Sequence, residues 1–428
     1  MIVANRAILW ASAATVCALF AADDALAMAD DWPQILGPSR NGIALGESII
    51  RQFPDTGPEV LWSRSVGKGV AGVAVAGDRV VLFHRHKQGD RAECMEKATG
   101  NILWRSDVFG TRYQSAILDD NGPRCVPVIS DGRVFLYSAN GDLHCLNLED
   151  GKALWTRQLA VDYATNAELG YFGAGSSPIV SQGKLWVNLG GARAEAGIVA
   201  LDPKTGETLW KGTREQASYS SPVATKIDGK ARLLFVTRMN LLSLDPATMA
   251  IDWRVPFGQR GPTVNGANPI ISDDHVFVTA AYGVGGKCLK LSLQEPAVVW
   301  ENDDVMSSQF TTPIVIGGTA YGVDGRHDLG VARLRCFNPL SGKIFWTQEN
   351  FGKATLILAD GKLLALTTDG KLVIAEPDQA AYRELAAAKV MDSRCLALPA
   401  LSGGLFFVRD QNQLKCLDLR PGKPDLIP

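Results

Sequence analysis

Few residues in this chain of 428 stand at spacings that chemistry requires. His84 and His86, two apart, would share one face of a strand as a pair of metal ligands can, but the nearby sequence brings no third His or Cys. Asp119-Asp120-Asn121-Gly122 offers oxygen donors for calcium. It lacks the spacing of an EF-hand loop and reads as a turn, as does Asp303-Asp304. No Cys-x-x-Cys-His haem motif, nucleophile elbow, phosphate loop or zinc-protease signature occurs. Of the eight cysteines, no two are adjacent. On these grounds no catalytic residue and no metal site is expected.

The chain is built instead on a frame that returns. ALDPKTGETLW at 200–210 reappears as CMEKATGNILW (94–104), CLNLEDGKALW (145–155) and CFNPLSGKIFW (336–346). Worn copies are SLDPATMAIDW (243–253) and KLSLQEPAVVW (290–300). Before the turn the residues alternate, with Ile198, Ala200 and Asp202 on one side and Val199 and Leu201 on the other, which is strand periodicity. Asp-Pro-Lys-Thr-Gly is turn chemistry, its Gly free to take positive φ. The residues up to Trp210 read as a second strand. Each frame is therefore a hairpin that delivers one Trp. A buried Trp removes roughly 150–250 Å² from water, worth at most about 4–6 kcal/mol.

A second hairpin lies upstream of each frame. It reads SPIVSQGKLWV at 177–187, with related stretches at 126–136, 268–278, 312–321 and 398–408, and one with a short insertion at 221–236. Two hairpins per period make a four-stranded antiparallel unit. Trp62, Trp104, Trp155, Trp210, Trp253, Trp300 and Trp346 recur every 42–55 residues, the period of a propeller blade. Trp62 has no first hairpin before it, and 416–426 starts a frame that ends without a Trp. An N-terminal strand that completes the last blade resolves both, and closing the ring removes exposed strand edges. The expected fold is all-β, an eight-bladed β-propeller of four-stranded antiparallel blades. The stretch 351–387 keeps the alternation but has lost its Trp, so seven blades is the alternative.

The frame resembles the tryptophan-docking repeat of the pyrroloquinoline-quinone-like (PQQ-like) β-propellers, over nearly all of the mature chain. DWPQILGPSRNG at 31–42 is similar to the start of many exported members. The resemblance implies that each Trp wedges between neighbouring blades. It also implies two kinds of function. PQQ dehydrogenases on this fold generally add an adjacent Cys-Cys pair over the quinone, a calcium with acidic and Asn ligands, an acidic base and larger insertions over the channel. Exported scaffold proteins of outer-membrane assembly share the repeat, bind no quinone and present a propeller face to partner proteins; they are typically lipid-anchored. With no adjacent cysteines, this chain is expected to be a non-enzymatic exported propeller without a cofactor, binding a protein, peptide or glycan in the cell envelope. The alternative is an alcohol or sugar dehydrogenase dependent on PQQ and calcium.

Residues 1–29 read as a signal peptide: Arg6, an apolar run over 7–22, and Ala27-Met28-Ala29 as a cleavage site. The run is short for a membrane span. Val16 before Cys17, and the position of Cys17 within the run, argue against lipid attachment. An N-terminal extension over 30–56 and the propeller over 57–428 follow, in the periplasm or outside the cell. A net charge of −2 gives no pull toward nucleic acid or anionic membrane. Cys94, Cys145, Cys336 and Cys416 occupy the slot held by Ala200 and Ser243, so they read as small buried hydrophobes on separate blades rather than disulfide partners.

In a four-stranded blade, the loop between strands two and three and the connection to the next blade open on one face. Hairpin loops are long at 84–91, 190–197, 281–287 and 324–331, and connections at 105–122, 156–175 and 254–267. Length variation gathered on one face marks a binding face. Its channel mouth is expected to be lined by Ser177, Ser221, Asn268 and Thr312, with Arg124, Tyr219 and Arg394 close by. The alternative is that the small polar residues merely hydrate a narrow axis.

Overall fold

The computed structural model describes residues 31–422 apart from 112, 116–119, 166–171, 261–264 and 327–329; residues 1–29, which read as a signal peptide, and Asp119 lie outside the described residues. The described residues form eight antiparallel four-stranded sheets, two of which gain a short fifth strand. Their first strands are Val73–Ala76, Val128–Ser130, Ile179–Ser181, Val223–Ile227, Ile270–Ser272, Ile314–Ile316, Ala354–Ala359 and Ala400–Ser402. First strands of neighbouring blades touch at five of the eight junctions, which places them around the axis. The middle strands are covered on both faces, as in Lys184–Gly191 and Ala196–Leu201, and so read as continuous apolar runs. The outer strands, such as Thr208–Gly212, alternate because one edge meets water. The ring closes where Glu59–Ser65 pairs antiparallel with Gln413–Asp418, setting Trp62 opposite Cys416. The blades number eight, not seven; the Trp-less stretch is a full blade from Ala354–Ala359 to Arg383–Lys389.

Two local expectations are corrected. In the fifth blade the residue opposite Trp300 is Cys288 rather than Lys290, because its turn is two residues longer than the common frame. Of the hairpin loops read as long, 84–91 is instead extended strand, with pairing to His86↔Gly89 and only Lys87 and Gln88 in the turn, and in 324–331 the ladder likewise runs on to Arg326↔Val331. Cys288 thus joins Cys94, Cys145, Cys336 and Cys416 opposite a docking indole. All seven described cysteines are buried and free, and burial pushes their thiols up to about 11 or 12.

The indoles bind blade to blade through one shared geometry. The Nε1–H groups of Trp62, Trp104, Trp155, Trp253, Trp300 and Trp346 donate to the carbonyls of Lys97, Leu148, Pro203, Ser292, Pro339 and Asp378 in the next blade, at 2.8–3.2 Å. Each ring lies on the turn glycine where one is present. A Cβ on Gly100 would stand 2.6 Å from Trp62 Cδ2, and one on Gly151 2.4 Å from Trp104 Cε3. Positive φ and this close approach both require Gly there. In the fourth blade Met249 takes the Gly position, at φ 64°. There Pro246 O accepts from Lys184 Nζ at 3.1 Å, and Trp210 rests half-buried beside Trp186. Replacing Trp104 or Trp253 by Ala should therefore cost about 3–5 kcal/mol, and the same change at Trp210 clearly less. Urea unfolding of the three variants measures this, and equal losses would contradict the ranking.

Residues 31–50 run through the propeller. Trp32 makes an isolated bridge to Val75 of the first blade's inner strand, and Ile129 N–H of the second donates to Pro33 O. Arg40 is 1% exposed. Its guanidinium donates to the carbonyls of Ser177, Pro178 and Pro222, in the third and fourth blades, and to Gln34 Oε1. The chain then adds Ile43–Ala44 in parallel to the inner strand of the seventh blade. The Glu47 carboxylate accepts from the N–H groups of Gly403 and Gly404 in the eighth. Ile50 N–H donates to Leu419 O at 2.7 Å. Leu419 stands three residues after Cys416, where a docking indole finds its acceptor in most other blades. The seventh blade has Ala386 in place of a Trp. The extension thus supplies the hydrogen bond that the missing indole would make.

Candidate functional site

The predicted mouth residues fall into distinct groups. Ser177, Ser221, Asn268 and Thr312 are buried and form a relay around half of the axis. Val126 N–H donates to Ser177 Oγ (3.0 Å), Ser177 N–H to Ser221 Oγ (2.9 Å), Ser221 N–H to Asn268 Oδ1 (2.8 Å), and Asn268 N–H to Thr312 Oγ1 (2.9 Å). Each small polar side chain ties its blade to the one before. This arrangement explains why the residue type recurs ahead of a Pro at 178, 222, 269 and 313: each blade needs a short acceptor, and Pro leaves no donor unpaired.

Arg124 and Tyr219 stand above this relay on one side. The Arg124 guanidinium donates to the carbonyls of Gly122 and Asp120 and lies 4.8 Å over the Tyr113 ring. Tyr219 Oη accepts from Phe172 N–H at 2.8 Å, and burial pushes the phenol up to about 12. Arg394 belongs to another group. Together with Lys353 and Arg326 it comes from the connections and hairpin of the sixth to eighth blades. Burial first, then Arg394 and Arg326, holds the Lys353 ammonium down to about 8. Its Nζ is enclosed and has no hydrogen-bond partner. Arg326 stacks 4.2 Å over the ring of Tyr282, whose hydroxyl accepts from Gln309 Nε2. Phe310, next to it, is 47% exposed. Lys353 escaped sequence reasoning because the seventh blade lacks the Ser/Asn/Thr-Pro signature that marks the mouth in the third to sixth. Arg40 escaped it because its partners are main-chain carbonyls, which leave no residue pattern.

The metal candidates resolve into structure. His84 Nδ1 accepts from Gly67 N–H at 2.8 Å, inside the first blade. Asp120 accepts from the N–H groups of Gly122 and Gly69, closing a turn, and Asn302 Oδ1 caps Asp304 and Val305. Among the described residues no group of three or more His, Cys, Asp or Glu could hold a metal ion. The mouth does not fit a calcium–quinone pair either. Calcium needs six to eight oxygen ligands with carboxylates among them. The side chains gathered here include Arg124, Arg326, Lys353 and Arg394 with Tyr113, Tyr219 and Tyr282, and the carboxylates beside them, Asp120 and Asp410, already accept from main-chain N–H groups and from Ser393.

His84 and His144 set the acid response. His144 stacks on Phe109 at 3.9 Å and pairs through Nδ1 with Thr156 Oγ1. Burial lowers both imidazoles to about 4. The unfolded chain takes up these protons near 6.5, so the stability is complete above that pH and is lost as pH falls through about 4, at about 3 kcal/mol per His. The Asp90 carboxyl, raised to about 6 by burial, works the other way between about 4 and 6. Two groups outweigh one, so the unfolding midpoint should drop between pH 6.5 and 4. His144→Gln should flatten that slope; an unchanged pH profile of unfolding would show that the imidazoles do not govern it.

Residues 89–348 match the model of the family described as outer membrane protein assembly factor BamB. The protein of that name from Moranella endobia is 25% identical over 260 residues, 58% of this chain and 63% of the relative. The crystal structure of BamB from Moraxella catarrhalis superposes with a TM-score of 0.61 at 14% identity, covering 86% of this chain and 99% of that one. The quinohemoprotein alcohol dehydrogenase of Comamonas testosteroni gives 0.65 at 14% identity, over 93% and 82%. Both structural likenesses show a shared fold. With the family model spanning more than half of its length and a docking indole on seven of eight blades, the chain belongs to the PQQ-like β-propeller family of the outer membrane protein assembly factor BamB.

Proposed function

We propose that the protein is an exported, non-catalytic scaffold whose loop-bearing face engages a protein, peptide or glycan partner in the cell envelope. One observation carries the reading. The axis, where a buried ligand would sit, is occupied by Trp32, Arg40 and the strand Ile43–Ala44, beneath a relay of buried side chains. A ligand is then left with the rim and its loops. The relatives described as assembly factors of outer membrane proteins support a protein partner. No helix among the described residues is long and apolar enough to cross a membrane. The dehydrogenase alternative has the superposition on an alcohol dehydrogenase in its favour and the cationic mouth against it.

Capture from an envelope extract tests the proposal. Partners retained by the intact protein should be lost when the hairpin turns at Ala192–Ala194 and 281–284 are shortened, and kept when the opposite turn at 203–206 is changed. Equal capture by the shortened protein, or dye reduction with PQQ, calcium and an alcohol that a chelator abolishes, would overturn it.

A further inference from the structure

We propose that the rim carries an anion site, built on Lys353 and Arg394, that takes the carboxylates of an acidic segment of a partner. The inference rests on the reading of this face as the binding face, and adds the chemistry of what binds.

Elsewhere the protein neutralises its enclosed cations. Arg232 meets Asp245 and Asp252, Arg85 meets Asp90, Arg335 meets Asp324, and Lys287 meets Glu301. Arg40 and Arg409, fully buried, spend their donors on main-chain carbonyls. Lys353 and Arg394 have neither. No hydrogen bond or ion pair engages the Lys353 ammonium, and the charges that act on it are Arg394 and Arg326, both of its own sign. Arg394 is exposed, and only partial burial lowers it, with no carboxylate to raise it. Like charges converge here from separate connections, at a cost that an arriving anion would reverse. Donors left without a partner continue around the mouth at Ser176, Ser220 and Asn268 Nδ2, each nearly fully buried.

The surroundings favour an extended segment over a single small ion. Tyr282 and the exposed ring of Phe310 flank the cations with apolar surface. Across the mouth stand Arg124, Tyr113 and Tyr219. The residues filling the axis prevent a ligand from descending, so it must lie across the rim, where a peptide could meet both sides.

The probe is a fluorescein-labelled hexaglutamate peptide, followed by anisotropy at low salt with the full mature chain. Binding is expected, weakened about tenfold by Lys353→Met and by Arg394→Gln, weakened by salt, and unaffected by Lys204→Met on the opposite face. A second readout does not depend on variants folding well. The Lys353 ammonium, held down to about 8 in the free protein, should be raised when the peptide's carboxylates arrive, which the pH titration of its NMR signal reads with and without hexaglutamate. Citrate is the arm for a free polycarboxylate: displacement by citrate at equal carboxylate concentration assigns the site to small anions, and failure to displace assigns it to a peptide. No binding, equal loss with Lys204→Met, or a Lys353 titration unaffected by peptide would overturn the site. If Lys353→Met leaves hexaglutamate bound while loop shortening still abolishes envelope capture, the scaffold reading stands and this inference falls. If hexaglutamate binds as expected but capture ignores the loops, the reverse holds.

Discussion

Arg40→Leu should destabilise the protein by about 3–5 kcal/mol, more than a typical substitution and comparable to deleting a docking indole. The guanidinium has three carbonyl partners in two blades and one side-chain partner in its own segment. Burial holds it down to about 9, so it pays desolvation that only these bonds offset. Removing it leaves the carbonyls of Ser177, Pro178 and Pro222 enclosed and unpaired. Arg40→Lys should recover a minor part, because an ammonium cannot present a planar fork to carbonyls on two strands. Urea midpoints at constant slope decide the matter. A loss below about 1 kcal/mol for Arg40→Leu would mean that water replaces the guanidinium. Arg79→Ala, which removes a half-exposed pair with Glu149, is the contrast and should change stability by less than about 1 kcal/mol.

Starting the chain at Arg51 should open the seam between the seventh and eighth blades before any other. The truncation removes Trp32, Ile35, Leu36 and Ile49 from the interior, together with the Glu47 cap and the Ile50 bond to Leu419. Trp32 alone accounts for about 4–6 kcal/mol at most, so the total loss should exceed about 5 kcal/mol. Amide exchange should accelerate first in Arg383–Lys389 and Gln413–Asp418, the strands at the seam without an indole. A sign reversal makes the test sharper. Ala386→Trp should harm the intact chain, where the extension already covers that place, and help the shortened one. Loss in both backgrounds would show that the extension does not stand in for the indole.

What could be read from residues alone was whatever the blade architecture repeats. Alternation, turn chemistry and the spacing of seven indoles pointed to the eight-bladed ring and to the strand around Trp62 as its closure, because each blade meets the same packing demand. Reading failed where the demand was met once. The turn after Cys288 carries two extra residues, so counting back from Trp300 landed on Lys290. Residues 31–50 show no period, because successive parts of the segment meet different blades, some through their own side chains, as Arg40 and Glu47 do, and mostly at main-chain groups of the blade. The relay of Ser177, Ser221, Asn268 and Thr312 was located but not its purpose, since a short polar side chain looks the same whether it meets solvent or a neighbour's N–H. Lys353 had no counterpart among the blades to align with.

The way the two chain ends are woven together also governs how the molecule is made. Glu59–Ser65 pairs with residues near 416, and much of the stretch before it bonds to residues between 357 and 419. On a ribosome, residues 31–65 therefore emerge long before their mates exist. Contacts separated by some 300 positions are slow to find, and an unpaired leading strand is an aggregation hazard in the interval. The last step of maturation is a locking event, in which the earliest-made residues are captured by the latest-made, and a chain released short of its final blade has no means of completing it.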